Sequence, residues 1–162
     1  MSRTDWETPQ DFFDELDKEF HFRLDVCAND DNAKCNNYIT EKLNGLTREW
    51  TDRFDLLNSC WMNPPYDRSI GLWMKKAYEE SQKGNTVVCL IQGRSTDTKW
   101  WHNYVMKSSE IRFIKNRLHF GMDGKFSRAN ISSVVVIFRP YCKGYPTLSS
   151  IDTKGKELRE RR

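Results

Sequence analysis

Apolar residues recur along this chain in two rhythms that replace one another. Phe12, Phe13, Leu16 and Phe20 fall at helical spacing behind Thr8, Pro9 and Asp11, which predicts a helix over residues 9–19 with Thr8 as its cap and Pro9 in its first turn. The period then becomes two. Phe20, Phe22, Leu24 and Val26 alternate with His21, Arg23 and Asp25, predicting a strand that stops at Cys27-Ala28-Asn29 and makes His21 structural. Residues 28–55 are polar, rich in Asn and Asp and broken by Gly45, so mostly loop is expected, with a short strand at Tyr38-Ile39-Thr40. A strand over 56–62 follows, then a helix over 67–83 that carries Ile70, Trp73, Met74 and Ala77 on one face and stops at Gly84. Residues 86–91 are continuously apolar, the mark of a strand covered on both faces. The pattern ends with a helix over 99–107, a strand over 109–114, a basic glycine-containing segment at 115–130, and a strand over 132–138 stopped by Pro140. This order predicts a three-layer α/β sheet closed by an antiparallel final hairpin, in one domain over residues 1–140 with a basic, partly disordered tail over 141–162.

A chain of 162 residues has room for one core and little for a second domain, so any target recognition falls to loops. The net charge of +3 conceals an asymmetry: residues 1–89 carry 11 Lys+Arg against 17 Asp+Glu, whereas residues 90–162 carry 15 against 6. The second half therefore suits a polyanion, although for Lys154 to Arg162 a solvated, disordered basic tail is the preferred explanation of the charge. Five cysteines without CxxC spacing read as reduced thiols, not as a disulfide frame or zinc site, and no histidine has a plausible set of metal partners. No secretory signal, lipidation motif or membrane-length apolar run is visible, so a soluble, cytoplasmic protein is expected.

The chemistry concentrates in Asn63-Pro64-Pro65-Tyr66, immediately past the carboxyl end of the 56–62 strand, where open α/β sheets bind ligands. A planar exocyclic amine is a poor nucleophile because its lone pair is delocalised into the ring. The Asn63 oxygen and the Pro64 carbonyl, fixed by consecutive prolines, can each accept one of its N–H bonds and draw the nitrogen towards tetrahedral geometry. The Tyr66 ring can stack on the base, so the gain is orientation and fixed polarity, with no strong general base required. A proline-kinked turn after a strand is the competing explanation.

Five segments in fixed order, Trp6-Glu7-Thr8-Pro9, Leu24-Asp25-Val26-Cys27-Ala28, Asn32-Ala33-Lys34-Cys35, Asn63-Pro64-Pro65-Tyr66 and Arg94-Ser95-Thr96-Asp97-Thr98-Lys99-Trp100, resemble the phage-type DNA N6-adenine methyltransferases, small relatives of the Dam enzymes. The resemblance spans about residues 5–139. It implies an abbreviated Rossmann-like class I methyltransferase fold, S-adenosylmethionine as donor and adenine N6 in double-stranded DNA as acceptor, reached by base flipping. It makes Asn63, Pro64, Pro65 and Tyr66 catalytic. Trp6, Thr8 and Pro9 would lie near the methionine end of the donor, Asp25, Cys27 and Ala28 at the first strand end, and Glu41 where an acid usually holds the ribose. A Gly-x-Gly turn is absent, Cys27-Ala28-Asn29 standing in its place. Alternatives stay open: Asp25 capping a helix or pairing with Arg23, Cys27 a buried thiol, Glu41 an exposed loop residue, Asp97 or Thr98 a helix cap. For DNA or base contact the candidates are Arg94, Asp97, Thr98 and Trp100 at the carboxyl edge of the buried strand, with Lys99, Lys115, Arg117, Lys125 and Arg128 on phosphates, Arg117 or Arg128 on a guanine edge, and Trp100, Trp101 or His119 filling the gap left by an extruded base. The same tetrapeptide would also serve a protein glutamine amide or an RNA amine as acceptor, or persist in an inactive nucleic-acid-binding module.

Overall fold

The computed structural model describes residues 6–51 and 58–159. Nine strands and three helices follow the order α1 Gln10–Phe20, β1 Leu24–Asp25, β2 Asn37–Tyr38, β3 Ser59–Met62, α2 Ile70–Gln82, β4 Thr86–Gln92, α3 Lys99–Asn103, β5 Glu110–Ile114, β6 His119–Met122, β7 Lys125–Arg128, β8 Ser133–Phe138 and β9 Thr147–Ile151 among the described residues. Seven strands form one sheet in the order β2-β1-β3-β4-β8-β5-β9, and β6-β7 form a separate pair. β2, β1, β3 and β4 run parallel, and β8 lies antiparallel between β4 and β5. This is the three-layer α/β arrangement expected, with the antiparallel pairing falling on β5 and β8. Val88 and Leu90 face α1, packing with Phe12, Phe13, Leu16 and Phe20. Val87, Cys89 and Ile91 face α2 and α3, packing with Trp73, Met74, Ala77 and Trp101. The double-sided burial explains why β4 and β8 read as unbroken apolar runs. Among the described residues no helix is long and apolar enough to cross a membrane, and all five cysteines are free thiols.

Several elements differ from the periodicity. The first helix is capped at Pro9, with no side-chain bond, and Thr8 turns inward, 2% exposed. Phe20 ends α1 instead of opening a strand: His21 closes the helix in left-handed conformation, its amide donating to the Asp17 carbonyl. Phe20 and Phe22 then join Phe13 and Trp61 in an aromatic cluster, and only Leu24–Asp25 pairs as a strand. The start of the expected 56–62 strand at Leu56 and Leu57 lies outside the described residues. Residues 115–130 hold the β6-β7 hairpin, turned by Asp123 and Gly124, both at positive φ, as a two-residue hairpin turn requires. Past Pro140, β9 adds to the sheet edge parallel to β5, and Ile151 bridges Glu157, so described residues beyond 141 are paired where a tail is expected.

Candidate active site

β3 leaves the core at Met62, and two prolines without amide hydrogens end the extended run there. Pro64 is buried, while Asn63, Pro65 and Tyr66 are half-buried. The Asn63 amide is held from the N-terminal side. Its Nδ2 donates to Thr8 Oγ1 at 3.2 Å and to the Trp6 carbonyl at 3.4 Å. A carbonyl only accepts, so the amide nitrogen must face Trp6 and Oδ1 must face away. Among the described residues no donor reaches Asn63 Oδ1 or the Pro64 carbonyl. Both residues border a cavity of about 310 Å³ whose other walls include Trp6, Tyr66, Gln92, Arg94, Phe120 and Asn130.

Tyr66 is fixed at the cavity wall. Its hydroxyl lies 3.4 Å from the carbonyls of Gln92 and Arg94, Trp100 meets its ring edge-on at 6.5 Å, and the Arg94 guanidinium lies over the ring at 5.4 Å. Burial raises its phenol above the ordinary value. Gly71 lets Trp100 approach, since a Cβ there would stand 3.2 Å from the indole.

Across the turn, Pro65 borders a second cavity of about 340 Å³ with Cys27, Ala28, Glu41, Gly45 and Trp73. Glu41 is exposed, in a 3-10 turn, with its residue at the rim. Gly45 is required by close approach: a Cβ would fall 2.5 Å from the Val26 carbonyl and 3.0 Å from the Trp73 ring. Burial pushes the Cys27 thiol up to about 12, so it is neutral and no nucleophile. Asp25, 3% exposed, is not among the residues bordering either cavity. Its carboxylate accepts from the Lys34 amide at 3.0 Å and the Cys27 amide at 3.3 Å, tying down the loop that carries Cys27 and Ala28. Burial raises it to about 7, outweighing those bonds, which favour the ionised form. Lys34 Nζ, on a side chain 3% exposed, bonds Glu7 and Gln10 at 2.9 Å each.

The remaining candidates separate by exposure. Arg94 and Lys99 are exposed and Trp100 half-buried, but Trp101 is 6% exposed and packed in the core, which removes it from the residues able to enter a duplex. Thr98 caps α3, accepting from the Trp101 amide, and Asp97 is exposed. Lys115, His119, Lys125 and Arg128 are exposed on or beside the hairpin. Arg117 is half-buried and its Nη1 donates to the Asn130 carbonyl at 2.7 Å, closing the hairpin base. The hairpin docks through Glu7, whose amide and carbonyl pair with those of Gly121 at 2.7 and 2.9 Å, and through Phe120, 5.8 Å from the Trp6 ring. Phe126 lies over Gly121 so closely that a Cβ would meet its ring at 2.8 Å. The sequence pattern does not point to Gln92, Phe120, Asn130, Gly45 or Trp73 as site residues. The available signals were the Asp123-Gly124 turn and the position of Gln92 at a parallel strand's carboxyl end.

A family model described as DNA N-6-adenine-methyltransferase (Dam) matches residues 1–161. The DNA N-6-adenine-methyltransferase of Haemophilus phage HP1 (strain HP1c1) is 31% identical over 162 residues, covering 96% of this chain and 90% of that protein. The DNA N-6-adenine-methyltransferase of Escherichia phage T1 is 28% identical over 120 residues, covering 74% of this chain and 48% of that protein.

Proposed function

Because the chain belongs to the DNA N-6-adenine-methyltransferase (Dam) family and is an adenine-specific DNA methyltransferase, we propose that its donor is S-adenosylmethionine and that its acceptor is an adenine extruded from double-stranded DNA. The donor's nucleoside suits the 340 Å³ cavity: Trp73, Val26, Ile39 and Leu46 offer apolar wall, Glu41 offers a carboxylate to ribose hydroxyls, and Gly45 leaves the wall bare. When bound, this group supplies an electrophilic sulfonium methyl. Asp25 contributes through the loop it anchors. The 310 Å³ cavity takes the base, because N6 cannot be reached inside a stacked duplex.

There Asn63 Oδ1 and the Pro64 carbonyl accept the two amine hydrogens, which localises the lone pair, and Tyr66 supports the ring. Arg94 covers part of the tyrosine in this structure, and an entering base displaces the guanidinium towards a phosphate. Lys99, Lys115, Lys125 and Arg128 supply further phosphate contacts, and the residue that occupies the emptied stack comes from Trp100, which meets Tyr66 edge-on, or from His119 and Phe126 on the hairpin. The observation that carries this reading is the Asn63 amide, pinned by its nitrogen so that its oxygen remains unspent. Asn63→Ala is expected to lower methyl transfer from labelled donor into DNA by about 100-fold or more, as removal of a fixed polar group at a reacting centre does. Donor affinity, read by calorimetry, stays within about threefold by the same reasoning. An Asn63→Ala enzyme with ordinary turnover would overturn the assignment.

A further inference from the structure

We propose that Thr8 is a positioning residue for methyl transfer, acting through Asn63 and not on the donor. The proposal rests on Asn63 being the acceptor of the adenine amine. Thr8 sits before α1, where a threonine commonly caps a helix, but the cap position falls to Pro9 and the Thr8 hydroxyl bonds Asn63 instead. The side chain is 2% exposed, and its oxygen accepts from Asn63 Nδ2, 55 residues away in sequence. An asparagine amide turns about χ2 with little intrinsic preference, and its broad torsional well leaves direction to its partners. Here the two partners have different effects. The Trp6 carbonyl cannot donate, so it fixes which end of the amide faces inward, but at 3.4 Å it holds weakly. The Thr8 hydroxyl, at 3.2 Å, adds a second point of attachment, and two points define the plane of the amide and hence the direction of Oδ1.

The anchor is tied at several points. Glu7, between Trp6 and Thr8, exchanges two backbone bonds with Gly121 of the hairpin, and its carboxylate is held by the buried Lys34. Segment 6–8 therefore behaves as a strap between hairpin, cavity-wall loop and tetrapeptide, and Thr8 is the side chain that passes its position to Asn63.

The test compares Thr8→Val, which keeps the shape and loses the oxygen, with Thr8→Ser, which keeps the oxygen. Thr8→Val is expected to lower kcat about tenfold, the worth of one hydrogen bond of about 1.4 kcal/mol. KM for the donor and affinity for DNA should stay within about twofold, and Thr8→Ser should restore kcat to within about twofold of the parent, as a contact made through the hydroxyl alone requires. If Thr8→Val fails to fold by circular dichroism, Thr8→Ala against Thr8→Ser reads the same hydroxyl. An unchanged kcat in Thr8→Val, a serine variant as slow as the valine one, or a raised donor KM with kcat preserved would each overturn the proposal. Activity retained by Asn63→Ala overturns the Asn63 assignment as well, whereas an inactive Asn63→Ala beside an unimpaired Thr8→Val removes Thr8 alone.

Discussion

Asp25 should make this protein less stable as pH rises from about 5 to 7. Its carboxyl moves from 3.8 to about 7 on folding because it is buried, so between those values the native state holds a proton that the unfolded chain has released. The contribution is fully present below 3.8 and is lost as pH climbs through about 7. A difference of about three pH units corresponds to roughly 4 kcal/mol, with a slope near 1.4 kcal/mol per pH unit inside the window. That is a large part of the ~5–15 kcal/mol that holds a typical domain together. Glu19 and Glu110 run the other way: the Arg112 bond holds the Glu19 carboxyl below 4.5, and at Glu110 burial pulls upward but is outweighed by Arg112, Ser149 and Arg139 together, so their contribution is present above 4.5 and is lost as pH falls below it. The perturbation is Asp25→Asn, and the assay is urea unfolding of both proteins at pH 5, 6, 7 and 8. Asparagine sets an N–H against one of the backbone amides that Asp25 now accepts from, those of Cys27 and Lys34. The variant therefore starts about 1–3 kcal/mol weaker at pH 5 and should then stay flat while the parent declines towards it. Parallel slopes for the two proteins between pH 5 and 7 would refute the account of Asp25 as a buried, proton-holding anchor.

Gly45→Ala should weaken S-adenosylmethionine binding at least about tenfold in calorimetry, because relieving a clash with backbone distorts the packed wall by an amount on the scale of overpacking costs, here against the Val26 carbonyl. Undiminished donor affinity would exclude that cavity as the donor site. Replacing Lys115, Lys125 and Arg128 together by Ala should flatten the dependence of DNA affinity on salt by about 0.9 in log–log slope for each phosphate no longer neutralised. An unaltered slope in filter binding from 50 to 300 mM salt, roughly the range over which such changes are resolved, would place the phosphate path elsewhere.

What the sequence made legible is what one-dimensional spacing controls. α2 shows its core face through Ile70, Trp73, Met74 and Ala77, and β4 and β8 show theirs by lacking polar interruptions. The tetrapeptide could be placed at a strand end because two prolines leave few alternatives. The misreadings share a cause, which is competition settled by tertiary contact. Phe20 and Phe22 satisfy strand alternation, but the aromatic cluster around Trp61 and Phe13 takes them. Thr8 has the chemistry of a cap, but Asn63 takes its oxygen. β9, Thr147-Leu148-Ser149-Ser150-Ile151, is a half-polar edge strand whose alternation is too weak to stand out without β5 beside it. The wall formed by Glu41, Gly45 and Trp73 joins a 3-10 turn, a loop glycine and a helix, and no local pattern links them. The hairpin at Asp123-Gly124 is different, since its turn dipeptide is a local signal that hydrophobic periodicity alone passes over.

Pro64 borders one cavity and Pro65 the other, so one peptide bond links a wall residue of each. With donor and base seated as proposed, joining a nucleoside fragment to a purine fragment in one bisubstrate inhibitor would convert the second capture into an intramolecular event.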